Sequence, residues 1–458
     1  MTELATPVSS SSIHSYCSHS AVHGSVSETL GPEPIPEQTT KDRPFNGFRI
    51  ARTEQARALV FDVLHQLQKY EQIFNVRQRA RKPKDQQIFE RQVEALVCDL
   101  VCREITKAGA WLTVSFSNRD LGSPDRYRAA VLGRTLPSVS RLMTTQEMDF
   151  AECIVGYSNP FDPKASRQTV IRATERLRTR IEDYGLTMTD FAVDKTEEII
   201  ILKDSKEGHW DKGQWLQYED TAQTTAYREE LARINAWLEQ ADIEYYPCDA
   251  KEKLVDASDR RLRRYFNNGS FEQGGRLFGG FWQYLSKEKR SYGILIDGTP
   301  VVTLDYGQMV PRILYGLACV DPHFQDAYAV PGLEGYRDGV KLVFNAMLHV
   351  PKPQAKKPQG SATLLPKGLS MADITAMVMD FHKPVIAGFY AGKGLYLSYQ
   401  ESRILITVLN RLMEQNITAL PIHDAVIVAE DRAEQTKQIM LDVFKELTGI
   451  EGLVDYDD

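Results

Sequence analysis

The chain is 458 residues long, 42% hydrophobic and 26% charged, with a formal net charge of −7. Such a length and composition describe a globular protein large enough for two folded parts. The acidic balance excludes a protein that coats nucleic acid through bulk positive charge, while leaving room for a local basic channel. No apolar run reaches the roughly 20 residues of a membrane helix, and the N-terminus lacks a basic-then-apolar leader, so a cytoplasmic protein without a membrane partner is expected. Cys98 and Cys102 are close in sequence but have no second ligand pair, and read as reduced, buried thiols rather than a zinc site.

Residues 1–45 are rich in Ser, Thr, Pro, Gly and His and are expected to form a disordered tail, with His14, His19 and His23 solvated in it. Residues 46–255 are expected to be mainly helical. Leu59, Val60, Val63, Leu64 and Leu67 mark one apolar helical face, and Val93, Leu96, Val97 and Leu100 another. The basic run Arg77–Lys84 between them suits a solvated loop or a phosphate contact. A short strand is expected at 111–116 and a helix at 166–184, stopped by Gly185. That second segment carries Arg167, Arg172, Arg176, Arg178 and Arg180, a stripe suited to phosphate contact. A further helix is expected at 221–240, and a boundary near Asp249–Ser258.

The C-terminal part, 256–458, carries the chemistry. A β-branched run from Gly298 reads as a buried strand ending at Asp305, followed by a helix through Ile313, Leu314 and Leu317. A carboxylate at a strand end suits a rigid metal ligand, and equally a helix N-cap. Arg337, Lys341, Asn345 and His349 recur every four residues along one helical face, a stripe suited to a triphosphate. His423-Asp424 lies between two short apolar runs, the pattern of a β-hairpin with the doublet at its turn. Helices flank it, with Ser398-x-x-Glu401 and Asp431-x-x-Glu434 as capping boxes. The stretch 256–290 mixes Arg260, Arg261, Arg263, Arg264, Arg276, Lys287, Lys289 and Arg290 with Tyr265, Phe266, Phe278, Phe281 and Trp282, as a nucleic-acid channel would.

In this order the segments resemble family A, DNA polymerase I-like polymerases. Asp305-Tyr-Gly-Gln-Met-Val-Pro-Arg312 resembles motif A, Arg337-x-x-x-Lys341 motif B and Ile422-His423-Asp424 motif C. Gly275-Arg276-Leu277 and Gln400 resemble elements that contact primer and template. The resemblance spans roughly 255–450. It implies an α+β fold: a right-hand palm, an antiparallel sheet with packed helices, with reduced fingers after a thumb-like N-terminal region. It further implies primer extension by two-metal phosphoryl transfer. Asp305 and Asp424 would hold two Mg²⁺ ions, with Mn²⁺ as a substitute. Lys341 would be the general acid. Arg337, Lys341, Asn345, His349, Val310 and Tyr306 would contact the nucleoside triphosphate. Arg276, Gln400, His423, Arg263 and Arg264 would contact the primer–template. Val310 and His349 replace the residues by which the family excludes ribonucleotides, and Ala425 replaces a carboxylate. An RNA polymerase or primase-like enzyme on the same palm is therefore an alternative, as is a decayed, non-catalytic nucleic-acid-binding protein. No Asp-x-Glu stands on a strand of the first half, so no proofreading exonuclease is expected.

Overall fold

A computed structural model describes residues 42–122, 125–162, 166–205, 213–247, 255–358, 360, 361 and 363–457. The expected tail up to residue 41, with its three histidines, lies outside these residues, as do positions 249–254 of the expected boundary. Two hydrophobic cores divide what is described. One gathers side chains from Phe45 to Phe191, the other from Ile199 to Val454.

The first core forms around the helices Glu54–Ile73 and Pro83–Thr106, whose apolar stripes bury Leu59, Val63 and Leu67 against Val93, Leu96 and Leu100. Thr53 caps the first by accepting from the Ala56 N–H, and Pro83 opens the second where no N–H is needed. Both Cys98 and Cys102 are buried, which pushes their thiols up, Cys102 to about 12.

Helices make up most of the regular structure of this region, and short strands join them, of which the sequence pattern predicts only Leu112–Val114. A four-stranded sheet runs in the order Arg43–Pro44, Leu112–Val114, Thr169–Ala173, Ala151–Ile154. Arg43 and Pro44, assigned to the tail by composition, pair with Leu112 and Thr113. The helix expected at 166–184 is corrected to the strand Thr169–Ala173 followed by the helix Glu175–Asp183. The β-branched run Thr169-Val-Ile171 finds strand partners on both sides, and sheet pairing overrides a periodicity that fits either state. Gly185 does close the helix, at φ +61°.

The five arginines of this segment therefore form no single helical stripe: Arg167 and Arg172 lie outside the helix, and within it Arg176 and Arg180 share a face over the Phe150 ring. Arg172 pairs with Glu152 at 2.6 Å, Arg178 with Glu104 at 3.0 Å and Arg180 with Asp62 at 3.0 Å. Arg176 donates to Gln66 at 2.7 Å. These guanidiniums serve neighbouring acceptors of the same core. In the basic loop Arg81 likewise forms a two-bond pair with Glu71, each bond 2.6 Å.

The second core backs a six-stranded antiparallel sheet. Its order is Ala419–Ile422, Ala425–Ala429, Thr299–Tyr306, Ile294–Ile296, Ile243–Tyr245, with Val454–Tyr456 also paired to Thr299–Tyr306. The helix Ala433–Thr448 covers one face, where the Tyr306 ring lies 5.5 Å from that of Phe444. A three-stranded sheet of Ser270–Phe278, Arg263–Asn267 and Ile200–Leu202 is tied to the helix Gly394–Glu414 through Arg264 and Arg276. The expected strand to Asp305, the helices Met309–Leu317 and Arg337–His349, and the His423-Asp424 hairpin are all present. Both proposed capping boxes are corrected. Ser398 and Glu401 lie inside the Gly394–Glu414 helix, and the helix at Ala433 begins after a 3-10 turn with no side-chain cap.

Candidate active site

The strand Thr299–Tyr306 organises the site. Successive side chains of a strand face opposite ways, so Leu304 and Tyr306 enter the core while Asp305 faces away from it. Asp305 stands opposite Ala425 on one neighbouring strand and opposite Asp455 on the other. Antiparallel partners lie about 4.5–5.5 Å apart at Cα, and Asp424 is the residue next to Ala425. The doublet His423-Asp424 fills a two-residue turn between strands, with His423 in the left-handed region at φ +55°. For a non-glycine residue that conformation costs on the order of 1 kcal/mol and recurs at functional sites.

The electrostatics single out Asp305. Its Oδ1 is buried and has no hydrogen-bond partner among the described residues. Burial first, then the charges of Asp424 and Asp457, push its carboxyl up to about 7, against the pull of Lys341. Lys341, exposed on the helix Arg337–His349, thus lies near enough for its charge to act on Asp305. Two neighbouring carboxylates without a counter-charge are unfavourable unless protonated or joined by a cation.

Arg276 flanks the pair. It bonds Glu401 at 2.6 Å and also feels the charge of Asp424. His349, at the end of the Lys341 helix, has its ring against Gly394, where a Cβ would stand 2.3 Å from it. Desolvation and then the Arg276 charge hold it below the usual histidine value. The structure therefore brings together Asp305, Asp424, Lys341, Arg276 and His349. Asn345 lies between Lys341 and His349 on their helix, half-buried.

Other expected site residues stand elsewhere. Tyr306 points into the core and donates to the Met440 carbonyl at 2.6 Å, because strand alternation turns it away from Asp305. Val310 packs against the core. Arg337 is exposed, but its guanidinium is bonded to Asp326 at 2.6 Å. Gln400 lines a small crevice with Ile313, Leu317 and Thr448, and its side-chain oxygen accepts from Arg403 at 3.0 Å. Arg263 pairs with Glu197 at 2.6 Å. Arg264 is buried, donating to the Gly275 carbonyl and the Ser402 hydroxyl, each at 3.1 Å.

Much of the basic–aromatic stretch is likewise internal. Arg260 serves the carbonyls of Ala241 and Ile243, Lys287 pairs with Asp457 at 2.8 Å, and Phe266, Phe281 and Trp282 are core residues. Sequence reasoning missed three neighbours of the site. Glu401 had a signal: it lies on the apolar face between Leu397 and Leu405. Tyr328 and the C-terminal Asp457 had none, since only tertiary packing brings their charges or rings to Asp424 and Asp305.

No family model matches the chain, and no curated protein matches it. Among solved structures it is similar to the POL domain of Pol1 from M. smegmatis in complex with DNA primer-template and dNTP, with a TM-score of 0.30 and 13% identity. The match covers 56% of this chain, which spans 57% of the length of that one.

Proposed function

We propose that the chain is a template-directed nucleotidyltransferase, a DNA polymerase that extends a primer without a proofreading exonuclease. Residues 256–458 would be palm and reduced fingers, and 46–255 a thumb-like region. The observation that carries this is the buried, unpartnered oxygen of Asp305 beside Asp424, with Lys341 near enough for its charge to act on it.

Asp305 and Asp424 fit a pair of hard divalent cations, Mg²⁺ or Mn²⁺: both offer carboxylate oxygens, and one buried oxygen has no other partner. Among the described residues no third acidic, histidine or cysteine side chain joins them at metal-binding range, which leaves water and substrate phosphate to complete the coordination. Bound there, the cations would activate a 3′-hydroxyl and neutralise the leaving pyrophosphate. Lys341 would bond the triphosphate and give a proton to the departing pyrophosphate oxygen. Arg337 would reach the same phosphates after leaving Asp326, and Asn345 and His349 lie further along the same helix. Arg276 and His423 would meet the primer end beside Asp424.

The test is primer extension in Mg²⁺, with dNTPs and NTPs in separate reactions. Wild-type chain is expected to extend with dNTPs, and Asp305→Ala and Asp424→Ala to be inactive while still binding primer–template. Extension with NTPs alone would make it an RNA polymerase. Binding without extension by the wild type would make it a non-catalytic nucleic-acid-binding protein.

A further inference from the structure

Two arginines tie the three-stranded sheet to the helix Gly394–Glu414. Arg264, buried beneath the sheet, donates to the Gly275 carbonyl and to Ser402. At Gly275 the backbone is left-handed, φ +78°, and a Cβ would stand 2.7 Å from the Ser402 hydroxyl and 3.2 Å from the Phe266 ring. Only glycine allows that approach. The next residue, Arg276, is thereby brought to 2.6 Å from Glu401.

Glu401 is 3% exposed, on the inward face of its helix. A buried carboxylate is costly unless paired, and Arg276 is the cation that pairs it. Arg276 in turn has two acidic neighbours, Glu401 and Asp424. Its side chain is 38% exposed, and its bond to Glu401 uses one terminal nitrogen. The rest of the guanidinium has no hydrogen-bond partner among the described residues. The adjacent Gln400, whose residue type suits a primer contact, lines a crevice with Ile313, Leu317 and Thr448 and accepts from Arg403 at 3.0 Å.

We propose that Glu401 is a positioning residue that holds Arg276 off Asp424, with the open edge of its guanidinium presented to the hydrogen-bond acceptors of the primer's terminal nucleotide. This rests on the polymerase reading. With Glu401 uncharged, Asp424 is the carboxylate left to Arg276. The guanidinium then moves onto it, the primer end loses its donor, and the aspartate gains a competing cation.

The experiment measures the affinity of a labelled primer–template duplex by fluorescence anisotropy in EDTA, and extension kinetics in Mg²⁺, for four variants. Glu401→Gln is expected to weaken duplex binding about tenfold and raise the primer KM while leaving the dNTP KM unchanged. Arg276→Gln should lose the same factor, the double variant no more than either single, and Glu401→Asp should recover part of the loss. Wild-type affinity in Glu401→Gln, or losses that multiply in the double variant, would overturn the proposal. Should Glu401→Gln show no cooperative melt, the neutral double variant decides: binding equal to Arg276→Gln supports the proposal, and tenfold weaker binding overturns it. A wild-type chain that neither binds nor extends the duplex overturns the functional reading and this one together. Binding and extension by the wild type, matched by Glu401→Gln, overturn this one alone.

Discussion

The arginines of the first core and the charges around Asp305 make opposite use of the same residue types. In the first core Arg172, Arg178 and Arg180 each meet a carboxylate, and the segment that looked like a phosphate-binding stripe is a set of internal ion pairs. At the end of the strand Thr299–Tyr306 two carboxylates share a half-buried place with an oxygen left unpartnered and an ammonium near enough for its charge to act on it. The density of charge was greater in the first region. The lack of matching was greater in the second, and unmatched charge is what a ligand can complete.

The largest effect is expected at Asp305. Asp305→Asn is expected to lower primer extension by at least about 10³-fold, the scale of losing a group that stabilises charge in the transition state, measured by single-turnover kinetics. The same variant should melt higher than wild type in EDTA at pH 7.5. Burial and the neighbouring charges of Asp424 and Asp457 push the folded carboxyl up to about 7, well above the ordinary aspartate value. The unfolded chain therefore ionises first, and the stability this group lends at low pH is lost as pH rises through that window. The advantage of the Asn variant should accordingly be absent near pH 4 and full above pH 7. Millimolar Mg²⁺ should raise the wild-type melting temperature and leave Asp305→Asn unmoved; equal shifts would mean that the ion binds elsewhere.

Next in size, Lys341→Ala should reduce kcat by about 10²-fold, the lower range for removing a general acid, with duplex affinity unchanged. A loss of duplex affinity alone would place Lys341 on the primer–template instead.

A smaller effect concerns a neutral buried group. His382 lies among Phe344, Phe381 and Phe389, with Nε2 2.8 Å from the Ala327 carbonyl and Nδ1 3.2 Å from the Tyr315 hydroxyl. Burial holds it down at about 4. Its contribution to stability is present above pH 6.5 and lost as pH falls toward 4, where the unfolded chain takes up the proton first. Wild type should lose melting temperature over that window faster than His382→Asn; parallel slopes would contradict the neutral assignment.

The smallest effect is expected among the arginines of the first core. Arg178→Ala should lower stability by on the order of 1 kcal/mol or less and leave duplex affinity within about twofold. A tenfold loss of affinity would restore the phosphate-binding reading that the ion pair with Glu104 argues against.

Local pattern settled much of this protein. The strand ending at Asp305, the helix that runs from Arg337 to His349 and the hairpin turning at His423-Asp424 were legible because each depends on periodicity and turn chemistry within a dozen residues. Tertiary structure decided the rest. The segment 169–173 became a strand because Leu112–Val114 and Ala151–Ile154 lie beside it. Glu401 is buried rather than standing at a helix cap because the Gly394–Glu414 helix begins a turn before Ser398 and packs its Leu397, Glu401 and Leu405 face inward. The fate of each arginine depended on carboxylates as distant in sequence as Asp62 from Arg180 and Glu401 from Arg276. Charge is visible in a sequence, but its partner is a property of the fold, since ion pairing acts through space across residues that the chain separates.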